Sequence, residues 1–134
     1  MPFRRRFTAV PAIGLLLLAA ACGDDAPQAS GAADAYESFF RTLSEGERQT
    51  ALEDIAPDGA LGDTFRGGAY FTYADAIEAR LERHGGLDEV VVDGTSDVRE
   101  GAVRVDGRLR FADGTELERS ITFERENDEW VGKL

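Results

Sequence analysis

One thiol, one imidazole, three phenols and an arginine set among apolar residues are the side chains of this sequence that could do chemistry. Cys22 becomes a nucleophile once deprotonated, and it stands at an abrupt change of composition, between LLLLAAA and GDDAPQASG. Arg119 could hold a carboxylate or phosphate through paired hydrogen bonds. Tyr36, Tyr70 and Tyr73 could line a pocket, with Trp130 as an aromatic wall. His84 falls in the last turn of a helical stretch, where a partly positive imidazole complements the helix dipole. Proton-transfer chemistry would need a titratable acid or base in a water-poor pocket. The apolar parity of the two long alternating stretches carries no Asp or Glu, and Arg119 is its one charge. A non-catalytic protein is therefore expected. A single cysteine excludes an internal disulfide, and no Cys/His cluster has the spacing of a zinc site, so neither metal nor cofactor is implied.

The neighbourhood of Cys22 says where the protein acts. Arg4, Arg5 and Arg6 make a basic end, and Ala9 to Ala21 form an uncharged, largely apolar run. That run is too short to span a bilayer, which takes roughly 20 residues, but it has the proportions of a secretory signal peptide. The alanines before Cys22 look like a bacterial lipobox, in which the thiol receives a lipid and the peptide is cut before it. The pattern prefers Leu at the third position before the cysteine; here that position is Ala19, with Leu18 adjacent. RRRF (Arg4 to Phe7) resembles the twin-arginine export motif, although arginines are expected in any signal peptide. Either route ends outside the cytoplasm, with the membrane as the partner of the lipid on Cys22. Gly23 lacks the Asp that, in such lipoproteins, favours retention at the inner membrane, so both membranes of a two-membrane envelope remain open. GDDAPQASG then reads as a flexible tether. The expected organisation is a signal peptide over 1–21, a lipidated cysteine and tether over 22–31, and a single domain over 32–134. Removing the three leading arginines leaves 12 basic against 26 acidic side chains, a net of −14, which repels nucleic acid and anionic headgroups.

From Ala32 the spacing of Tyr36, Phe39, Phe40 and Leu43 predicts a helix with an aromatic stripe facing the core. SEGE, from Ser44 to Glu47, offers a capping box for a second helix through Ile55, and PDG (Pro57 to Gly59) stops it. RGGAYF (Arg66 to Phe71) reads as a bend, since it lacks the spacing of a phosphate loop. Thr72 and Asp75 then look like a capping pair for a third helix, through Ile77 and Leu81 to Gly85-Gly86. Beyond Gly86 the period becomes two. Val103, Val105, Gly107, Leu109 and Phe111 share one face, and Leu117, Arg119, Ile121 and Phe123 another. A three-residue loop, Ala112 to Gly114 with Gly114 left-handed, pairs Phe111 with Thr115, Leu109 with Leu117 and Val105 with Ile121. That register sets Arg119 opposite Gly107, where a missing side chain leaves room. REND (Arg125 to Asp128) turns the chain into a last strand with Trp130 and Leu134 inward. With LDEVVVDG (Leu87 to Gly94), these make an α+β fold, helices on one face of a four-stranded antiparallel meander.

The stretch from Gly85 to Leu134 resembles the tail of a family of small bacterial lipoproteins of unknown function, whose domains belong to the nuclear-transport-factor-two-like (cystatin-like) group. The shared features are Gly-Gly after the third helix, an alternating strand ending in DGT (Asp113 to Thr115) and a closing strand with Trp130. AYESFF, from Ala35, looks like that family's first helix. Family members tend to have Lys directly after the Trp; here Val131 and Gly132 intervene before Lys133. The resemblance implies a cone-shaped domain whose curved sheet wraps the helices, and no assigned activity.

Relatives in the wider fold group include isomerases and dehydratases that work inside the cone, which keeps a small-molecule enzyme as the alternative to a binding or interaction module at the cell envelope. Arg119 may be read two ways: a ligand anchor, or a residue that snorkels to the sheet edge or pairs with an acid from a helix. On the other face, Arg104, Arg108 and Arg110 interleave with Glu116, Glu118 and Glu124. They could meet an envelope protein or pair with one another across strands.

Overall fold

The computed structural model describes residues 26–134; the segment expected to be a signal peptide, Cys22 and the residues up to Asp25 lie outside them. Helix α1 (Ala26–Ser44) is followed by α2 (Arg48–Ile55), a short 3-10 turn (Ala60–Gly62) and α3 (Thr64–Arg83). Strands β1 (Leu87–Arg99), β2 (Ala102–Phe111), β3 (Glu116–Glu126) and β4 (Glu129–Lys133) then form one antiparallel sheet in sequence order. The expected α+β meander is what the chain forms. Among the described residues no helix is long and apolar enough to cross a membrane.

Four expectations about the helices need correction. α1 starts at Ala26 rather than Ala32, so Ala26 to Gly31 are helix and not tether. Alanine is the strongest helix former, and proline is tolerated in a first turn, where Pro27 stands. Gly31 lets the helix pass the last strand, since a β-carbon there would collide with the Trp130 indole nitrogen. The capping box at Ser44 does not form. The Ser44 hydroxyl donates back to the Arg41 carbonyl at 2.7 Å, and α2 has Glu47 as N-cap with no side-chain bond. The reason is Gly46, whose positive φ of 84° reverses the chain between the two residues of the box. The bend expected at Arg66 to Phe71 and the capping pair Thr72/Asp75 are both absent. α3 runs unbroken through them from Thr64, capped by Asp63, whose Oδ1 accepts from the amides of Phe65 and Arg66 at 2.9 and 2.8 Å.

The strand register is the expected one. Leu109 faces Leu117, Gly107 faces Arg119 and Val105 faces Ile121. The Phe111 amide donates to the Thr115 carbonyl at 2.8 Å, closing a three-residue loop with Gly114 at φ +90°. Three register shifts in β1 curl that edge of the sheet. Tyr36, Phe39, Phe40, Leu43, Leu52, Ile55, Ile77, Leu109, Phe111, Ile121 and Phe123 make one fully buried core between helices and sheet. Trp130 and Leu134, expected to face inward, are half-buried and pack on that core.

Outside, the charges answer one another. Arg108 reaches Asp93 at 3.0 Å and Glu116 at 3.1 Å, and Arg110 reaches Glu89 at 2.7 Å and Glu116 at 3.0 Å. Exposed pairs of this kind contribute little each, but they tie up Arg108 and Arg110 within the sheet's own outer face.

At the β2–β3 loop the His84 ring stacks on Phe111 with centroids 5.2 Å apart, and its Nδ1 lies 2.8 Å from Asp113 Oδ2. The Thr115 hydroxyl and amide both donate to the other oxygen, at 2.6 and 3.0 Å. These bonds, the hydroxyl first, lower the Asp113 carboxyl to about 2. A carboxyl depressed by folding adds stability that is present above its unfolded value near 4 and lost as pH falls through about 2. Asp113→Asn is therefore expected to flatten the acid limb of a stability–pH curve between about pH 4 and 2. Denaturation midpoints across that range check it; a parallel acid limb in the variant would show that the loop does not use the charge.

Candidate functional site

The sequence singles out Arg119, Tyr36, Tyr70, Tyr73 and Trp130 as pocket residues, and the structure brings three of them together. Arg119 points inward from the middle of β3, in register with Gly107. Tyr36 comes from the centre of α1, is fully buried, and donates its hydroxyl to the Arg119 carbonyl at 2.8 Å. It occupies the space over Gly107: a β-carbon there would stand 2.7 Å from its hydroxyl. The room expected for Arg119 is thus filled by a phenol from another layer. Tyr73, on α3, joins from the opposite side through a stack of rings, 6.2 Å from Phe39 and 6.5 Å from Phe40, with Phe40 in turn 4.9 Å from Tyr36.

The electrostatics of the cluster follow from burial. Desolvation is the main force pushing the Tyr73 hydroxyl up to about 12, with Arg119 the nearest charge and opposing the shift. Tyr36 is raised further, again chiefly by burial, with Tyr73 and Asp93 adding to it. Both phenols are neutral donors across the ordinary pH range. The Tyr73 oxygen is buried; the Arg119 side chain lies near enough to lower its pKa as a hydrogen-bond donor, but the two are not aligned as a well-formed bond, and the Tyr73 O–H has no acceptor among the described residues. Arg119, half-exposed, donates Nη1 to the Glu118 carbonyl at 2.9 Å.

Tyr70 and Trp130 belong elsewhere. The Tyr70 hydroxyl donates to the Gly132 carbonyl at 2.5 Å, fastening α3 to β4. One edge of its ring borders a shallow groove of about 350 Å³ shared with Phe65, Arg66, Ala69, Lys133 and Leu134. Trp130 lies under Gly31 and carries the Arg125 guanidinium 5.2 Å above its ring. The helix-end histidine has more neighbours than dipole reasoning gives it, in Asp113 and Phe111. No local pattern announces that pairing, because the partners are 29 residues apart. Among the described residues no group of His, Cys, Asp or Glu is disposed to hold a metal ion.

No family model matches the sequence, and no curated protein matches it. Among solved structures, a Campylobacter jejuni protein described as an NTF2-like transpeptidase is similar in fold, with a TM-score of 0.63 over 75% of this chain and 95% of that chain, at 15% identity. At such identity the likeness carries architecture alone. Helices against a curved four-stranded antiparallel sheet, with an aromatic core in the concavity, give this chain the NTF2-like fold.

Proposed function

We propose that this protein is a lipid-anchored, extracytoplasmic binding module of the bacterial envelope, one that holds a small ligand or an envelope partner without transforming it. The observation that carries the reading is the filled concavity. Tyr36, Phe39, Phe40, Phe111 and Phe123 occupy the side of the sheet where a catalytic cone needs a water-poor chamber with an acid or base. The polar groups at its margin are neutral phenols and an arginine, suited to binding rather than to proton transfer.

The anchor rests on Arg4 to Arg6, the apolar run and the alanines before Cys22. Helix α1 is described from Ala26, four positions after Cys22. A lipid so close in sequence to the helix would keep the domain near the bilayer surface, and the resemblance of the sequence to a family of small lipoproteins fits this reading. Cys22→Ala is expected to remove lipid labelling and either release the protein from the membrane fraction or leave it unprocessed. Unchanged labelling and unchanged sedimentation with membranes would overturn the anchor.

A further inference from the structure

The sheet has a systematic rule for its arginines, and one of them breaks it. Arg99, Arg104, Arg108, Arg110 and Arg125 each have a carboxylate within ion-pair distance. Arg119 has none among the described residues, in a chain with 26 acidic side chains. On the inner parity of β2 and β3 the charges are Arg119 and Arg125, and Arg125, near the end of β3, lies over the Trp130 ring, which leaves Arg119 as the one at mid-strand. A guanidinium offers five N–H donors, and the bond described for Arg119 goes to the neighbouring Glu118 carbonyl. The buried Tyr73 hydroxyl faces it, its oxygen close enough to feel the guanidinium as a donor but its O–H without an acceptor among the described residues. A buried O–H without an acceptor carries an energetic penalty, and an acceptor reaching it from outside the fold would remove that cost.

We infer that Arg119 and Tyr73 form an anion subsite at the margin of the core, which takes the terminal oxyanion, carboxylate or phosphate, of a small ligand with a compact apolar body. Two donor groups of unlike geometry converge there, as recognition of a planar or tetrahedral oxyanion requires. Leu117, two residues along the same face of β3 and only half-buried, gives an apolar neighbour for the ligand body. Tyr36 braces the site from beneath: by bonding the Arg119 carbonyl it fixes the backbone from which the guanidinium extends. The inference deepens the binding-module reading and rests on it, but not on the lipid anchor.

The test is an NMR titration of the full-length chain in a nonionic detergent, following the Arg119 Nε–Hε resonance. Hexanoate, phenyl phosphate and inorganic phosphate are the separate probes. A saturable shift with hexanoate or phenyl phosphate is expected, and whichever binds more tightly identifies the oxyanion. Inorganic phosphate, lacking the apolar body, should bind more weakly than phenyl phosphate. Arg119→Gln should abolish binding, read on the neighbouring Leu117 amide, and Tyr73→Phe should weaken it about tenfold or more. Arg108→Gln, on the outer face, should leave it unchanged. Because Tyr73→Phe deletes a buried O–H that has no acceptor in the fold, it should melt at the same temperature as the parent or higher. The inference is overturned by a flat titration with every probe up to tens of millimolar, or by equal binding to the Arg119→Gln variant. It also fails if Tyr73→Phe binds normally and melts lower, which would make the hydroxyl a structural group. Binding-competent protein that ignores Cys22→Ala in fractionation would instead sink the anchor and leave the subsite standing.

Discussion

Gly107→Ala is expected to destabilise the protein by about 3 kcal/mol, more than any other single methyl addition considered in this sheet. A β-carbon at that position would stand 2.6 Å from the Val91 carbonyl oxygen and 2.7 Å from the Tyr36 hydroxyl. Neither can yield cheaply. Val91 belongs to the neighbouring strand of the same ladder, opposite Arg108, so moving its carbonyl distorts the β1–β2 pairing. Tyr36 is fully buried beneath α1 and is tied by its hydroxyl to the Arg119 carbonyl across the sheet. Tyr36→Phe alone should cost about 1 kcal/mol for that bond. In the double variant it should relieve only part of the Gly107 clash, because the Val91 oxygen remains; the pair therefore couples without cancelling. Chemical denaturation of the four species measures this. A loss under about 1 kcal/mol for Gly107→Ala would show that the sheet flexes enough to admit a side chain, and Tyr36 would then not be the group that requires the glycine.

The register around Gly107 was legible in the sequence for a physical reason. Val103 to Phe111 and Leu117 to Phe123 set apolar against charged residues with strict period two, and a slip of one residue would turn every side chain to the wrong face. Asp113-Gly114 could have made a tighter turn, but only the three-residue loop keeps Leu109 on Leu117 and Val105 on Ile121. What fills the space beside Arg119 was not legible. Tyr36 lies 83 residues from the carbonyl it bonds, in a different layer, and nothing local to either residue announces the meeting. The same holds for Trp130, whose parity could be read but whose cover, Gly31, stood in a segment with the composition of a linker. Composition misled there because Ala, Gln, Ser and Gly make a helix as readily as a tether once tertiary contacts favour it. Of the pocket expected from Arg119 and the tyrosines, inward parity identified Arg119. The meeting of Tyr36 and Tyr73 depends on how α1 and α3 pack, and Tyr70, only three residues from Tyr73, is drawn instead to Gly132.

Gly67→Ala and Gly68→Ala should move stability in opposite directions although the residues are adjacent in one helix. In an unencumbered helix interior, alanine for glycine gains about 1 kcal/mol by restricting the unfolded chain. Gly68 is exposed with nothing within 4 Å of a β-carbon, so Gly68→Ala should gain most of that. Gly67 is buried against the 3-10 turn. Its β-carbon would lie 2.6 Å from the Leu61 carbonyl oxygen, 3.0 Å from that carbonyl carbon and 3.1 Å from the Ala60 carbonyl oxygen, all backbone atoms. Moving them also strains the cap, since the Gly67 amide donates to Asp63 at 2.8 Å and the Asp63 amide to Ala60 at 3.1 Å. The clash should outweigh the propensity gain and leave Gly67→Ala about 2 kcal/mol less stable than the parent. At about 4 °C per kcal/mol for a domain of this size, the two variants should melt on opposite sides of the parent by readily measured margins. Stabilisation by both would show that α3 does not dock on the turn. Tyr73 lies on the same helix beyond this contact, so an α3 displaced by the Gly67→Ala clash would carry its hydroxyl away from Arg119. Gly67→Ala should therefore weaken oxyanion binding as well as stability, whereas Gly68→Ala should leave binding intact while raising the melting temperature.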